Sequence, residues 1–202
     1  DQHRLSLLVL GLKAMREGKA ALARQYFQKS AYTPIGELSA ALLTGWSYAS
    51  ANNLNAALAE LDKLKRNQAF ENFRLFHAGL MADMVKNHNR AEVFYKSAYE
   101  KAGTSLRVVQ AYGNYLQRTN RKDQAAKVYE LFLKSTQNNP LVRGALDDLK
   151  AGKPVEPFIS TAAGGSAEAL YSIAGALTDE RSIDIALVYT RLALASYPEF
   201  SE

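Results

Sequence analysis

The chain has 202 residues, of which 48% are hydrophobic and 22% charged, enough apolar content to bury a core and too much for a disordered segment. It contains no cysteine and only three histidines, His3, His77 and His88. This excludes disulfide frameworks, cysteine-ligated metal and thiol nucleophiles, and no apolar run approaches the ~20 residues of a membrane-spanning helix. The formal charge of +5 is uneven: residues 1–153 carry 23 Lys and Arg against 13 Asp and Glu, while residues 154–202 carry two against seven.

Taken in chain order, the pattern predicts helices over 4–17 and 19–31, broken near Gly18, then 37–51 and 54–66, turning at Asn52-Asn53. Further pairs are predicted over 70–86 and 89–102, turning at Asn87-His88-Asn89, and over 105–119 and 122–136, turning at Asn120. Gly and Asn suit such turns because they tolerate left-handed backbone angles. These pairs repeat every 34 residues. Gly11, Gly45, Gly79 and Gly113 form one column, Ala23, Ala57, Ala91 and Ala125 a second, and Phe27, Leu61, Tyr95 and Tyr129 a third. Small residues let helix axes approach closely, and the large residue four positions after each alanine fills the space beside them.

The period then slips. Pro140–Lys150 predicts one additional short helix, and residues 151–165, rich in Gly, Pro and small residues, an ordered linker. Pairing resumes over 166–179 and 182–196, with Ser166 expected to cap the helix that begins at Ala167 and with Ala174, Ala186, Ala193 and Pro198 in repeat positions. The expected organisation is therefore four 34-residue units over 1–139, a short helix and linker over 140–166, and a fifth unit over 167–202. The last helix bears an apolar stripe suited to being covered by another hairpin, and the chain opens on Asp1. Both lead to the expectation that the sequence is a portion of a longer protein.

The three columns resemble the tetratricopeptide repeat (TPR) family, in which each unit is a helix–turn–helix of 34 residues. Tyr48 matches the family's aromatic position, whereas Ala14, Ala82 and Leu116 depart from it, and Leu7, Ala41, Leu75 and Val109 stand where the family has a first-helix tryptophan. The resemblance implies an all-α, right-handed superhelix of antiparallel helix pairs, an α-solenoid used as a protein-binding scaffold or adaptor. The chain also looks like the middle portion of long exported bacterial TPR proteins. That likeness implies a periplasmic or membrane-anchored place outside the cytoplasm, with a cytoplasmic one as the alternative.

No constellation of side chains points to catalysis. Gly164-Gly165-Ser166 is followed by Ala-Glu-Ala and so lacks the lysine of a phosphate loop and the frame of a nucleophile elbow. His77 and His88 lie on different elements without metal-pair spacing, and Asp147-Asp148 diverge on a helix. The expectation is a non-enzyme with no catalytic, metal or cofactor-binding residues and no cofactor. Two basic clusters, Lys63, Lys65 and Arg66 and then Arg118, Arg121, Lys122 and Lys127, lack interleaved aromatics. They read as charged edges, which argues against nucleic acid.

Binding remains. In a TPR stack the first helix of every pair lines the concave wall. In register, unit one offers Leu5, Leu8, Val9, Leu12 and Met15, and unit two Ser39, Leu42, Trp46 and Ala49. Unit three offers Phe73, Phe76, His77, Leu80 and Asp83, and unit four Arg107, Gln110, Asn114, Gln117 and Arg118. Leu8, Val9 and Leu42 divide evenly between wall and inter-helix core, and Trp46 between core filler and contact anchor. A wall that is apolar early and polar late suits a protein or peptide partner, such as an amphipathic helix, an apolar extended segment, or a terminal segment of the same protein. Of the lysines and asparagines with which some TPR proteins clamp a carboxylate, only Asn114 is present. A structural spacer or self-assembly module is the alternative function, and a non-catalytic part of an enzyme a third.

Overall fold

A computed structural model describes residues 2–136, 138–177 and 182–197, and the described residues contain helices and no strand. The helices are α1 (Gln2–Arg16), α2 (Ala20–Lys29), α3 (Pro34–Ser50), α4 (Leu54–Asp62), α5 (Glu71–Met84), α6 (His88–Ala102), α7 (Leu106–Arg118), α8 (Lys122–Ser135), α9 (Pro140–Lys150), α10 (Ala162–Ala176) and α11 (Ile183–Ser196). Two short 3-10 turns, Lys63–Arg66 and Gln68–Phe70, separate α4 from α5 where continuous helix was expected to 66. Pro198, expected in the fifth unit, lies outside the described residues.

The 34-residue period is written into the backbone. Gly18, Asn52, Lys86 and Asn120 all have positive φ, between 56° and 73°. After each, a backbone N–H reaches back to a carbonyl five residues earlier: Lys19 to Ala14, Asn53 to Tyr48, Asn87 to Ala82 and Arg121 to Leu116, at 2.8–3.0 Å. One left-handed residue thus ends the first helix of each of these four pairs, and the N–H that follows it satisfies a carbonyl that the helix leaves open. In the third pair Lys86 takes this position. Asn87, expected in the turn, instead caps α6 by accepting from the Arg90 N–H at 3.2 Å.

The glycine column is explained by direct contact. A Cβ at Gly11 would lie 2.3 Å from the Phe27 ring, one at Gly79 2.9 Å from Tyr95, and one at Gly113 2.2 Å from Tyr129. Each ring is buried, together with Ala23, Ala91 and Ala125 of the small-residue column. The helices of a pair therefore meet backbone to ring, and any side chain at the glycine would hold them apart.

Two compact units result: Asp1–His77 with Thr161–Glu202, and Ala78–Ser160. In the first, α10 packs on both α11 and α3, and α11 touches α1. The hairpin that comes last in sequence is thus laid against the first two pairs. In the second unit, α7 packs on α6 and α8, and α9 on α8. Helix α10 begins at Ala162, five residues before the expected start at Ala167. Thr161, not Ser166, is its cap, accepting from the Gly164 N–H at 3.1 Å, and Ser166 instead bonds the Ala162 carbonyl at 2.8 Å inside the helix. The signal for an early start, a threonine immediately before a small-residue run, is visible in the sequence.

Gly113→Ala should lower stability by about 1–3 kcal/mol, because the buried Tyr129 ring must move and this outweighs the helix propensity gained. Gly144→Ala, in α9, meets nothing within 4 Å and should instead raise stability by up to about 1 kcal/mol. Urea denaturation of both variants checks the opposite signs.

Candidate functional site

The first-helix residues of the first unit share one wall, and the chain's own α10–α11 hairpin covers it. Trp46 is fully buried and faces Gly165 of α10, where a Cβ would come within 2.4 Å of the indole. Gly165 is therefore a contact surface for a flat ring. Met15 Sδ lies 3.9 Å from the Ser166 hydroxyl, and Leu12 faces Ala162 and Ala163 across a small cleft of about 140 Å³. From α11, Tyr189 is fixed on two sides. Its hydroxyl takes a hydrogen bond from Arg4 at 2.6 Å and shares one with Ser39 at 2.7 Å.

His77 is buried beside Trp46. The indole N–H donates to His77 Nδ1 at 3.2 Å, the rings stand at 90°, and Phe76 meets the imidazole edge-on with centroids 5.3 Å apart. Acceptance at Nδ1 places the proton of the neutral ring on Nε2, which has no partner among the described residues. Burial pushes its pKa down to about 3. Leu8 and Leu42 are inter-helix core, Val9 is exposed, Phe73 is half-buried, and Phe76 and Leu80 are buried.

The polar wall of the second unit is assembled differently. Arg107, Gln110, Asn114, Gln117 and Arg118 recur at three- and four-residue intervals and so share a face of α7. Asp83, on α5, accepts from the Tyr95 hydroxyl at 3.1 Å and pairs with Arg118, while its second oxygen has no partner among the described residues. Burial first, then the Asp83 carboxylate, raises the Tyr95 pKa well above its usual value and keeps it a donor. Arg118 Nε donates to Asn114 Oδ1 at 2.9 Å, which fixes the orientation of that amide. The Asn114 Nδ2 then donates to the Glu156 carbonyl at 2.8 Å, Gln117 Nε2 donates to the Lys153 carbonyl at 3.0 Å, and the Arg107 guanidinium lies 4.5 Å from the centre of the Phe158 ring. Gln110 accepts from Arg107 at 3.4 Å.

Sequence reasoning placed these α7 side chains together but missed what they hold, because the stretch over 151–165 carries no periodic signal. It likewise missed Arg4, Tyr189 and Gly165. In the basic clusters, Lys63 pairs with Glu60 at 2.6 Å, Lys65 with Asp62 at 2.9 Å, and Arg121 with Glu92. No helix among the described residues is long and apolar enough to cross a membrane.

Helix pairs of 34 residues, closed by a left-handed turn and packed glycine against ring, define an all-α fold of the TPR type. Among solved structures, the chain is similar to a tetratricopeptide repeat protein from Parabacteroides merdae, over 98% of this chain and 75% of that one, with 9% identity and a TM-score of 0.53. It is also similar to a MamA protein, over 100% of this chain and 96% of that one, with 16% identity and a TM-score of 0.46, and to MamA MSR-1 C2, with 15% identity and a TM-score of 0.43 over 100% of both chains. No protein-family model and no curated protein matches the sequence.

The His77 site sets a pH dependence. Its folded pKa lies below the ~6.5 of an exposed histidine, so between about 3 and about 6.5 the unfolded chain binds the extra proton and stability falls as acid is added. His77→Gln should flatten the dependence of stability on pH across that window by up to about 1.4 kcal/mol per pH unit. Urea midpoints of both proteins between pH 4 and pH 7, chosen to lie on either side of about 6.5, check this.

Proposed function

We propose that the protein is a non-catalytic interaction scaffold that binds an extended peptide segment of a partner along the α7 face. The observation that carries this reading is the pair of side-chain amides, Asn114 and Gln117, donating to main-chain carbonyls three residues apart. Side chains that bond a partner's backbone give affinity whatever the partner's side chains are, and Arg107 adds a flat cationic surface for an aromatic. The apolar residues nominated for a groove, Leu12, Met15, Trp46, Phe76, His77 and Leu80, act in this reading as the seat of α10 and as core. The polar end of the wall does the recognising, with no cofactor involved.

A self-assembly module is the second reading, favoured by α11. Its exposed Ile183, Leu187 and Leu194 fall on one face of the helix, the kind of apolar strip that a further helix covers. Concentration-dependent mass in sedimentation, lost in Leu187→Glu, is its expected sign.

Panning the purified chain against a random peptide library tests the first reading. Selected peptides should bind the Asn114→Ala/Gln117→Ala variant more weakly by about 2 kcal/mol, roughly 30-fold. Leu131→Ala, at an exposed position of α8, should leave binding unchanged. Peptides indifferent to both variants would count against the α7 face.

A further inference from the structure

We propose that residues 153–158 are a built-in pseudo-ligand of the α7 face, and that the partner which displaces them presents a segment with prolines three residues apart followed by an aromatic residue. The proposal rests on the peptide-binding reading above and names the partner's chemistry.

The two carbonyls gripped by α7 are not arbitrary ones. Lys153 precedes Pro154 and Glu156 precedes Pro157, so both acceptors belong to amides whose nitrogen carries no proton. A residue before proline is held in extended backbone, and two prolines at this spacing favour the polyproline II conformation. That conformation has three residues per turn and no internal hydrogen bonds, so carbonyls three apart point to one side and are open to an outside donor. Asn114 and Gln117 supply those donors. The same three-residue step joins Val155 to Phe158, both half-buried, and Phe158 lies under Arg107. The segment runs antiparallel to α7, with Gln117 at Lys153, Asn114 at Glu156 and Arg107 at Phe158.

The grip is prearranged on the α7 side. Tyr95 and Arg118 converge on the buried Asp83, and Arg118 in turn fixes Asn114 with its N–H₂ group outward. On the segment side little holds the occupant. Lys153, Pro154 and Glu156 are exposed, and α7 holds the segment by two neutral hydrogen bonds and one cation–aromatic stack, while at its root Lys153 is tied to Asp148 of α9 through its N–H to the carbonyl at 3.0 Å and through its exposed ammonium to the carboxylate at 2.6 Å. Such a segment is retained by its tether, which gives it an effective concentration of order millimolar, and a partner with the same features competes for the same donors.

The test uses the full chain and a fluorescein-labelled synthetic peptide of residues 151–160. In a variant with residues 153–158 replaced by a Gly-Ser run of equal length, the peptide should bind at least about tenfold more tightly than to the unaltered chain, because the tethered competitor is gone. Adding Asn114→Ala and Gln117→Ala to that variant should abolish the gain, and a peptide carrying Phe158→Ala should bind more weakly. Equal affinity for the unaltered and Gly-Ser chains, or a gain that survives loss of both amides, overturns the proposal. Library peptides that depend on Asn114 and Gln117 would leave the binding face standing in that event. If the Gly-Ser variant loses its cooperative melt, Phe158→Ala in the intact chain decides. Backbone amides within 151–160 should then exchange faster while those of α7 and α8 keep their protection, with tighter binding of the peptide, and unchanged exchange overturns the proposal.

Discussion

The structure depends on one repeated contact, a glycine of the first helix pressed against a buried ring of the second. At Gly11, Gly79 and Gly113 there is no room for even a methyl group beside Phe27, Tyr95 and Tyr129. This contact sets how near the two helices of a pair lie. It costs about 1 kcal/mol of helix propensity at each glycine, which ring burial offsets. It also explains why unlike sequences can share the fold: the constraint falls on three columns and leaves the remaining positions free to vary.

The same device, used once more at long range, shapes the first unit. Gly165 lets the α10 backbone lie on the indole of Trp46, as the repeat glycines let a helix lie on a ring. Around that contact, the Trp46–His77 hydrogen bond and the Arg4–Tyr189–Ser39 cluster satisfy polar groups that burial would otherwise strand. Wall residues that face a groove in an open stack have become core because the chain brings its own helix to them.

The second unit meets the same situation with different chemistry. Its wall is polar, and a polar wall cannot be covered by an apolar helix without leaving donors unpaired. An extended stretch whose open carbonyls match the amides of α7 satisfies it. Asp83 is the organising charge. Buried, and bonded by Tyr95 and Arg118, it fixes the direction of the Asn114 amide through a single intermediate side chain.

The helix pairs, their turns and the glycine–ring register were legible in the sequence because each rests on residues near one another along the chain and is repeated. A pattern seen in four units survives a departure such as Lys86 in one of them. The α7 face was legible for the same reason, since helical periodicity alone puts Asn114, Gln117 and Arg107 together. What occupies the walls was not. Gly165 on Trp46, Tyr189 between Arg4 and Ser39, and the Lys153 and Glu156 carbonyls on α7 join segments far apart in sequence, and each contact occurs once. Local propensity and period determined which residues form the walls. Only tertiary structure decided whether those walls stand open, because burial is a property of where distant segments come to rest.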